Sequence, residues 1–245
     1  MEWRDRAIIL SIRRHGEHHA LADVLTRSEG RWRGLVRGGG GRRLAGVLQA
    51  GNEIDAHWRA RLDAHLGTLT VEPARARAAA LMGDPGRLAA MTSICALLEL
   101  ALPEREPHPA VHDMLVALLD LLENREATPC DWGAALVHAE MALLADLGFG
   151  LDLACCAATG VTEDLVYVSP RSGRAVSRAA GAPYRDRLLP LPQFLLGRQA
   201  GDATQADVAA GLRLTGHFLL DHVIGASNRG LPPARQRLLQ RFMLA

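Results

Sequence analysis

The apolar period of this chain changes once, near Pro73. Before that point apolar and polar residues alternate with a period of two. From Ala74 onward they recur at helical spacing. A chain written this way is α+β in two parts, a β front and a mainly α back. In residues 4–13, Arg4, Arg6, Ile8, Leu10 and Ile12 alternate with Asp5, Ala7, Ile9, Ser11 and Arg13. The polar loop RHGEHH leads to a second strand near 20–26, and the segment SEG turns into a third at 30–37. After the glycines at 38–41, residues 42–49 read as a short helix or turn, and AGN at 50–52 as a turn. The next strand sets Ile54, Ala56, Trp58, Ala60 and Leu62 against Glu53, Asp55, His57, Arg59 and Arg61. A last strand at 65–72 ends at Pro73. Five strands in about 70 residues, interrupted after the third, predict the five-stranded Greek-key barrel of the OB-fold over residues 1–73.

The remainder, residues 74–245, reads as a helical domain. Asp84 is placed to cap a helix with Pro85 at its first position, running to Pro103. A second helix covers 110–123. Thr128-Pro-Cys-Asp131 opens a third over 129–147, and Gly148 stops it. Thr204 and Asp207 repeat the cap pattern for a helix to about residue 224, and 235–244 form a short last one. Between 151 and 192 the helical pattern fails. Short β-like pieces and turn residues make this stretch an appended module or a functional loop.

Charge points to a polyanion. No acid occurs between Glu29 and Glu53, while Arg31, Arg33, Arg37, Arg42 and Arg43 fall in that window. Strand parity puts Arg31, Arg33 and Arg37 on one face with Leu35, and Trp32 and Val36 on the other. An arginine face running into a glycine loop can cradle a phosphate backbone. The same run also reads as a solvated edge strand with a flexible loop. The chain contains no Lys, so every one of its 28 basic side chains is a planar fork suited to phosphate. Residues 1–80 hold 14 Arg against 9 acids, and the rest 14 against 18. Trp32 and Trp58, opposite the arginines, belong to the core, which leaves guanidinium groups and His57 for phosphate-dominated, sequence-tolerant binding.

Catalytic chemistry is thin. Cys155-Cys156 lacks CxxC spacing and a second pair, and His108 and His112 have no HExxH glutamate between them and read as surface. His15, His18 and His19 read as solvated loop residues. GGGGRR lacks the Lys-Ser/Thr ending of a triphosphate loop, and no acid cluster suggests a hydrolase. No enzyme, metal or cofactor is expected. Without a signal segment or a long apolar span, the chain reads as a cytoplasmic protein with no membrane partner.

WRDRAIILSIRRHGEHHALADVLTRSEGRWRGLVRGG and LQAGNEIDAHWRARLDAHLGTLTVE, with GFGLDLACCAATG and YVSPRSGRAVS further on, resemble the bacterial DNA repair and recombination family RecO. The resemblance spans essentially the whole chain. It implies an N-terminal OB-fold, a helical C-terminal domain, and a role in the RecF pathway of recombinational repair. It implies binding and annealing of single- and double-stranded DNA, contacts with RecR and with the C-terminal tail of single-stranded-DNA-binding protein, and help in loading RecA. It also implies a finger with four cysteines in residues 151–192. Here Cys156 fills the first ligand position, while Thr159, Val176 and Ala179 stand at the others, so a zinc-less remnant is expected. DNA contacts are expected from Arg13, Arg14, Arg31, Arg33, Arg37, Arg42, Arg43, Arg59 and Arg61, with Arg171, Arg174 and Arg178 as an extension through the finger. A different reading keeps the protein in repair as an adaptor whose basic barrel docks acidic proteins, DNA binding being incidental.

Overall fold

Five strands, β1 (Glu2–His15), β2 (His19–Thr26), β3 (Gly30–Val36), β4 (Glu53–Arg59) and β5 (Thr68–Arg75), close into a barrel in the order β1-β2-β3-β5-β4. This is the OB-type ring expected from the alternation. The structure is a computed structural model that describes residues 1–62, 65–197, 203–225 and 230–244. β1 serves two neighbours, pairing with β4 through its first half and with β2 through its second. A bulge between Ile9 and Ser11 shifts its register, so Ile12 joins Ile9, Ala7 and Trp3 at the barrel core. Ile8 and Leu10 are buried outside that core, on the side where a helix packs against β1. Simple alternation had grouped Ile8, Leu10 and Ile12 on one face, and the bulge separates them.

Other departures are local. Residues 42–49, expected as a short helix or turn, take the turn form, and Leu44, Val47 and Leu48 pack against the barrel core. β5 runs through Pro73 to Arg75, because Pro73 falls where the β4–β5 register shifts and no ladder N–H is needed. β4 ends at Arg59, which leaves Leu62 58% exposed rather than in the core.

Residues Met1–Asn124 make one compact unit. Beyond the barrel it contains α1 (Arg77–Leu81), α2 (Pro85–Ala101) and α3 (Pro109–Glu123). The strands thus end close to the boundary read at residue 73, while the unit that holds them continues through three helices. Asp84 caps α2 by accepting from the backbone N–H groups of Gly86 and Arg87. The link between α2 and α3 crosses the start of β3, where Arg105 N–H donates to the Arg31 carbonyl at 2.7 Å. Gly30 is required there: its φ is +80°, and a Cβ would lie 1.9 Å from the Glu106 carbonyl oxygen. His108 and His112, expected at the surface, are both buried, because α3 turns that face inward.

Residues Arg125–Ala245 form the second unit. α4 (Pro129–Asp146) and α6 (Gln205–Phe218) open with capping boxes built on Thr128 with Asp131 and Thr204 with Asp207. α6 continues as a π-helical turn over Leu219–Ile224, and α7 (Pro233–Leu244) closes the chain. Arg235 of α7 and Glu140 of α4, both fully buried, pair at 2.7 Å. Arg235 also donates to the Leu212 carbonyl and the Thr215 hydroxyl. The stretch that broke the helical pattern is a small module. In it β6 (Leu165–Val168), β7 (Ala175–Ser177) and β8 (Leu189–Pro190) form a sheet in the order β7-β6-β8, followed after β7 by α5 (Arg178–Gly181).

Candidate nucleic-acid interface

The barrel arginines divide by what covers them. The parity of β3 is as expected, with Trp32 and Val36 in the core and Arg31, Arg33 and Leu35 on the outer surface. The start of that surface is roofed, however, by the link after α2. Arg31, expected from the sequence to contact DNA, is only 9% exposed; it bonds Asp23 at 2.7 Å and also donates to the Leu102 carbonyl. Arg33 bonds the same carboxylate at 2.9 Å and lies 3.4 Å from Glu104. Asp23 is itself 2% exposed, and a carboxylate so far from water needs its charge matched. Arg13 pairs with Glu99 of α2. Arg31 is therefore framework, and Arg13 and Arg33 are partly committed to carboxylates.

The opposite end of β3 is open. β3 and β5 meet at a single parallel bridge, Leu35 to Thr68, with Leu35 N–H donating to the Gly67 carbonyl at 3.0 Å. Past it Gly38, at φ +73°, turns the chain away and leaves a cleft. Three adjoining concavities follow. The first, of about 430 Å³, is lined by Arg37, Arg43, Leu44, Thr68 and Thr70 among others. The second, of about 340 Å³, is lined by Arg37, His57, Arg59, Thr68 and Thr70. The third, of about 700 Å³, includes Arg59, Arg61 and His65. Thr68 is common to all three.

Register explains the grouping. Arg59 lies opposite Thr68 and His57 opposite Thr70, and these side chains point outward between core residues Trp58 and Leu69. Arg14, Arg37, Arg42, Arg43 and Arg61 are exposed, and among the described residues none has a carboxylate partner. Arg59 stands beside Glu2. A hydrogen bond with His57, helped by Arg59 and Arg4 nearby, holds the Glu2 carboxyl below the usual carboxylate range. The glycine run is seated on the β1–β2 hairpin: Gly40 N–H donates to the His18 carbonyl at 3.1 Å, and Gly38 N–H to His19 Nδ1 at 3.3 Å. His19 is thus more than a solvated loop residue. Arg4, His65, Thr68 and Thr70 escaped the sequence reading. Arg4 carried a usable signal in its parity on β1, whereas the threonines carry none until strand pairing is known.

Comparison with known proteins then fixes the relationship. The family model described as "Recombination protein O N terminal" matches residues 1–77, and "Recombination protein O C terminal" matches residues 82–230. The chain belongs to the RecO family. It is 53% identical over 247 residues to the DNA repair protein RecO of Rhodospirillum centenum, covering 100% of this chain and 96% of that protein. Identity to the RecO of Rhodospirillum rubrum is 51% over 243 residues (99% and 96% covered), and to that of Xanthobacter autotrophicus 52% over 242 (99% and 97%). Among the described residues no helix is long and apolar enough to cross a membrane.

The small module between residues 151 and 192, where the resemblance implied a finger, is folded around Cys156. Cys156 N–H donates to Val161 and Gly160 N–H to the Cys156 carbonyl, which folds the knuckle. Ser177 N–H donates to Cys156 Sγ at 3.3 Å. Burial pushes the Cys156 thiol up, but hydrogen bonds from the Thr159 hydroxyl, from Ser177 and from the Ala158 N–H outweigh it, bringing the thiol down to about 6. Thr159, Val176 and Ala179 supply no thiolate, so this donor set does not fit tetrahedral zinc. Arg174 pairs with Asp152 and Arg178 with Asp164, each at 3.2 Å, while Arg171 is exposed.

Proposed function

We propose that this chain is a non-catalytic DNA-binding mediator of recombinational repair. It binds and anneals single- and double-stranded DNA and, with RecR, helps load RecA onto DNA coated by single-stranded-DNA-binding protein, whose C-terminal tail it contacts. Its place is the cytoplasm, at the nucleoid. The DNA-binding domain is residues 1–73, and residues 74–245 carry the protein contacts. Membership of RecO supports the pathway assignment. The observation that carries DNA binding is the set of exposed arginines around one cleft, Arg37, Arg43, Arg59 and Arg61, with Arg42 on the adjoining turn and Arg14 on the hairpin. These six are the proposed phosphate contacts. Arg13 and Arg33 contribute only by leaving their carboxylates, and Arg171 is the remaining candidate in the finger.

Replacing Arg37, Arg43 and Arg59 together by Ala is expected to weaken DNA binding and to flatten the dependence of log K on log salt. The slope should fall by about 0.7 to 0.9 per lost phosphate contact. An unchanged slope with unchanged affinity would favour the adaptor reading, in which the barrel docks acidic proteins.

A further inference from the structure

The three concavities differ in chemistry. The one between Arg37 and Arg59 is lined by guanidinium, threonine hydroxyl and imidazole groups and suits phosphate oxygens, while the one at Arg43 sets two guanidinium groups against Val36, Leu44 and Val71. The third and largest adds Leu35, Ala60 and Leu66 to Arg59, Arg61 and His65. Its apolar wall is built rather than loose. Leu66 is 41% exposed, yet its carbonyl accepts from Trp58 Nε1 at 3.1 Å, and Arg105 Nη2 reaches the preceding carbonyl, of His65, at 3.3 Å. Gly67 takes φ +70° so that the backbone can pass over the Trp58 ring, which a Cβ would meet at 2.4 Å. Leu35 is fixed by its bridge to Thr68.

No Phe, Tyr or Trp is offered on the outside of this barrel for a base to stack on. Residues 1–124 contain no Phe or Tyr, and Trp3, Trp32 and Trp58 are all in the core. An aliphatic wall beside guanidinium groups and the His65 imidazole is what remains for a base. Arg59 and Thr68 line both the third concavity and its phosphate-sized neighbour. That shared edge lets a nucleotide whose phosphate rests on Arg59 turn its base toward Leu35 and Leu66. The volume, about 700 Å³, lies within the roughly 300–1,000 Å³ of small-ligand sites.

We infer that the concavity lined by Leu35, Ala60 and Leu66 is a nucleobase pocket that takes one unpaired base of single-stranded DNA. This rests on the phosphate-binding reading above and adds strand selection to it. A duplex keeps its base faces stacked inside, so only its phosphates can use the cleft, whereas a single strand can splay a base into the apolar wall. Leucine contact reads shape and apolarity rather than hydrogen-bond pattern, so the pocket favours unpaired over paired DNA without favouring a sequence.

The test uses the full chain and three fluorescent probes of equal length: an oligothymidylate, a strand with abasic residues in place of thymidines, and a duplex. Wild-type protein is expected to bind oligothymidylate at least about fivefold more tightly than the abasic strand. Leu66→Ser, and separately Leu35→Thr, should remove about five- to tenfold of the oligothymidylate affinity and leave the other two affinities unchanged. If Leu66→Ser fails to fold by far-ultraviolet circular dichroism, Leu35→Thr carries the test, since threonine suits a strand. Equal wild-type affinity for base-bearing and abasic strands would overturn the pocket, as would variants that weaken all three probes alike or none. Binding that is base-independent but still lost on replacing Arg37, Arg43 and Arg59 refutes the pocket alone. Binding indifferent to those arginines refutes the phosphate reading itself.

Discussion

A guanidinium group that stays charged at every accessible pH is put to opposite uses six residues apart. Arg31 neutralises a buried carboxylate, whereas Arg37 is exposed and has no carboxylate partner among the described residues. Arg31→Ala should therefore cost about 1.5–3 kcal/mol in urea unfolding, because it leaves the buried Asp23 carboxylate to Arg33 alone. Arg37→Ala should stay within about 0.5 kcal/mol and show itself only in DNA binding. Strand parity put both on one face but could not say which was roofed. That depends on Leu102 and Glu104, about 70 positions downstream, where nothing in the sequence marks the crossing. Cys156 offers a second test at this scale. Its thiol falls from an ordinary value near 9 to about 6, so it contributes stability above the unfolded value and loses it as pH falls through 6. Between pH 6 and 9 the wild type should gain stability over Cys156→Ser by up to about 1.4 kcal/mol per pH unit.

Elements were legible where a side chain announces a boundary. Thr128 with Asp131, Thr204 with Asp207, and Asp84 before Pro85 each marked a helix start to the residue, since a cap is a local bond. Thr128→Ala is expected to lower stability by about 1 kcal/mol in thermal melts. Two features left no such mark. The bulge in β1 changes which isoleucine faces the core without a glycine to signal it. The π turn after α6 alters hydrogen bonding while keeping a helical appearance in the sequence. The β4–β5 connection belongs here too: Gly67→Ala should cost more than about 1 kcal/mol, from both its backbone angle and the Trp58 ring beneath, and calorimetry would register it as a lowered Tm.

Over the whole molecule, the basic front half read from the sequence is balanced by its own unit. Residues Met1–Asn124 contain 16 Arg and 16 acids. Glu99, Glu104, Asp113, Asp120 and Glu123, all from the helical part, pair with Arg13, Arg31, Arg33, Arg27, Arg75 and Arg77. A cut at residue 80 separated partners that the fold joins, which is why the half-chain charge overstated the cationic surface. The second unit yields its own prediction: chelator-washed protein should carry well under one zinc per chain by metal analysis, with its Tm unchanged by the chelator. The barrel, meanwhile, has gathered Trp3, Trp32 and Trp58 into one cluster with ring centroids 4.4–6.4 Å apart, while the fourth, Trp132, lies in the other unit. Indoles that close exchange excitation, so the front ring has its own optical signature, an exciton couplet expected to vanish as the ring opens.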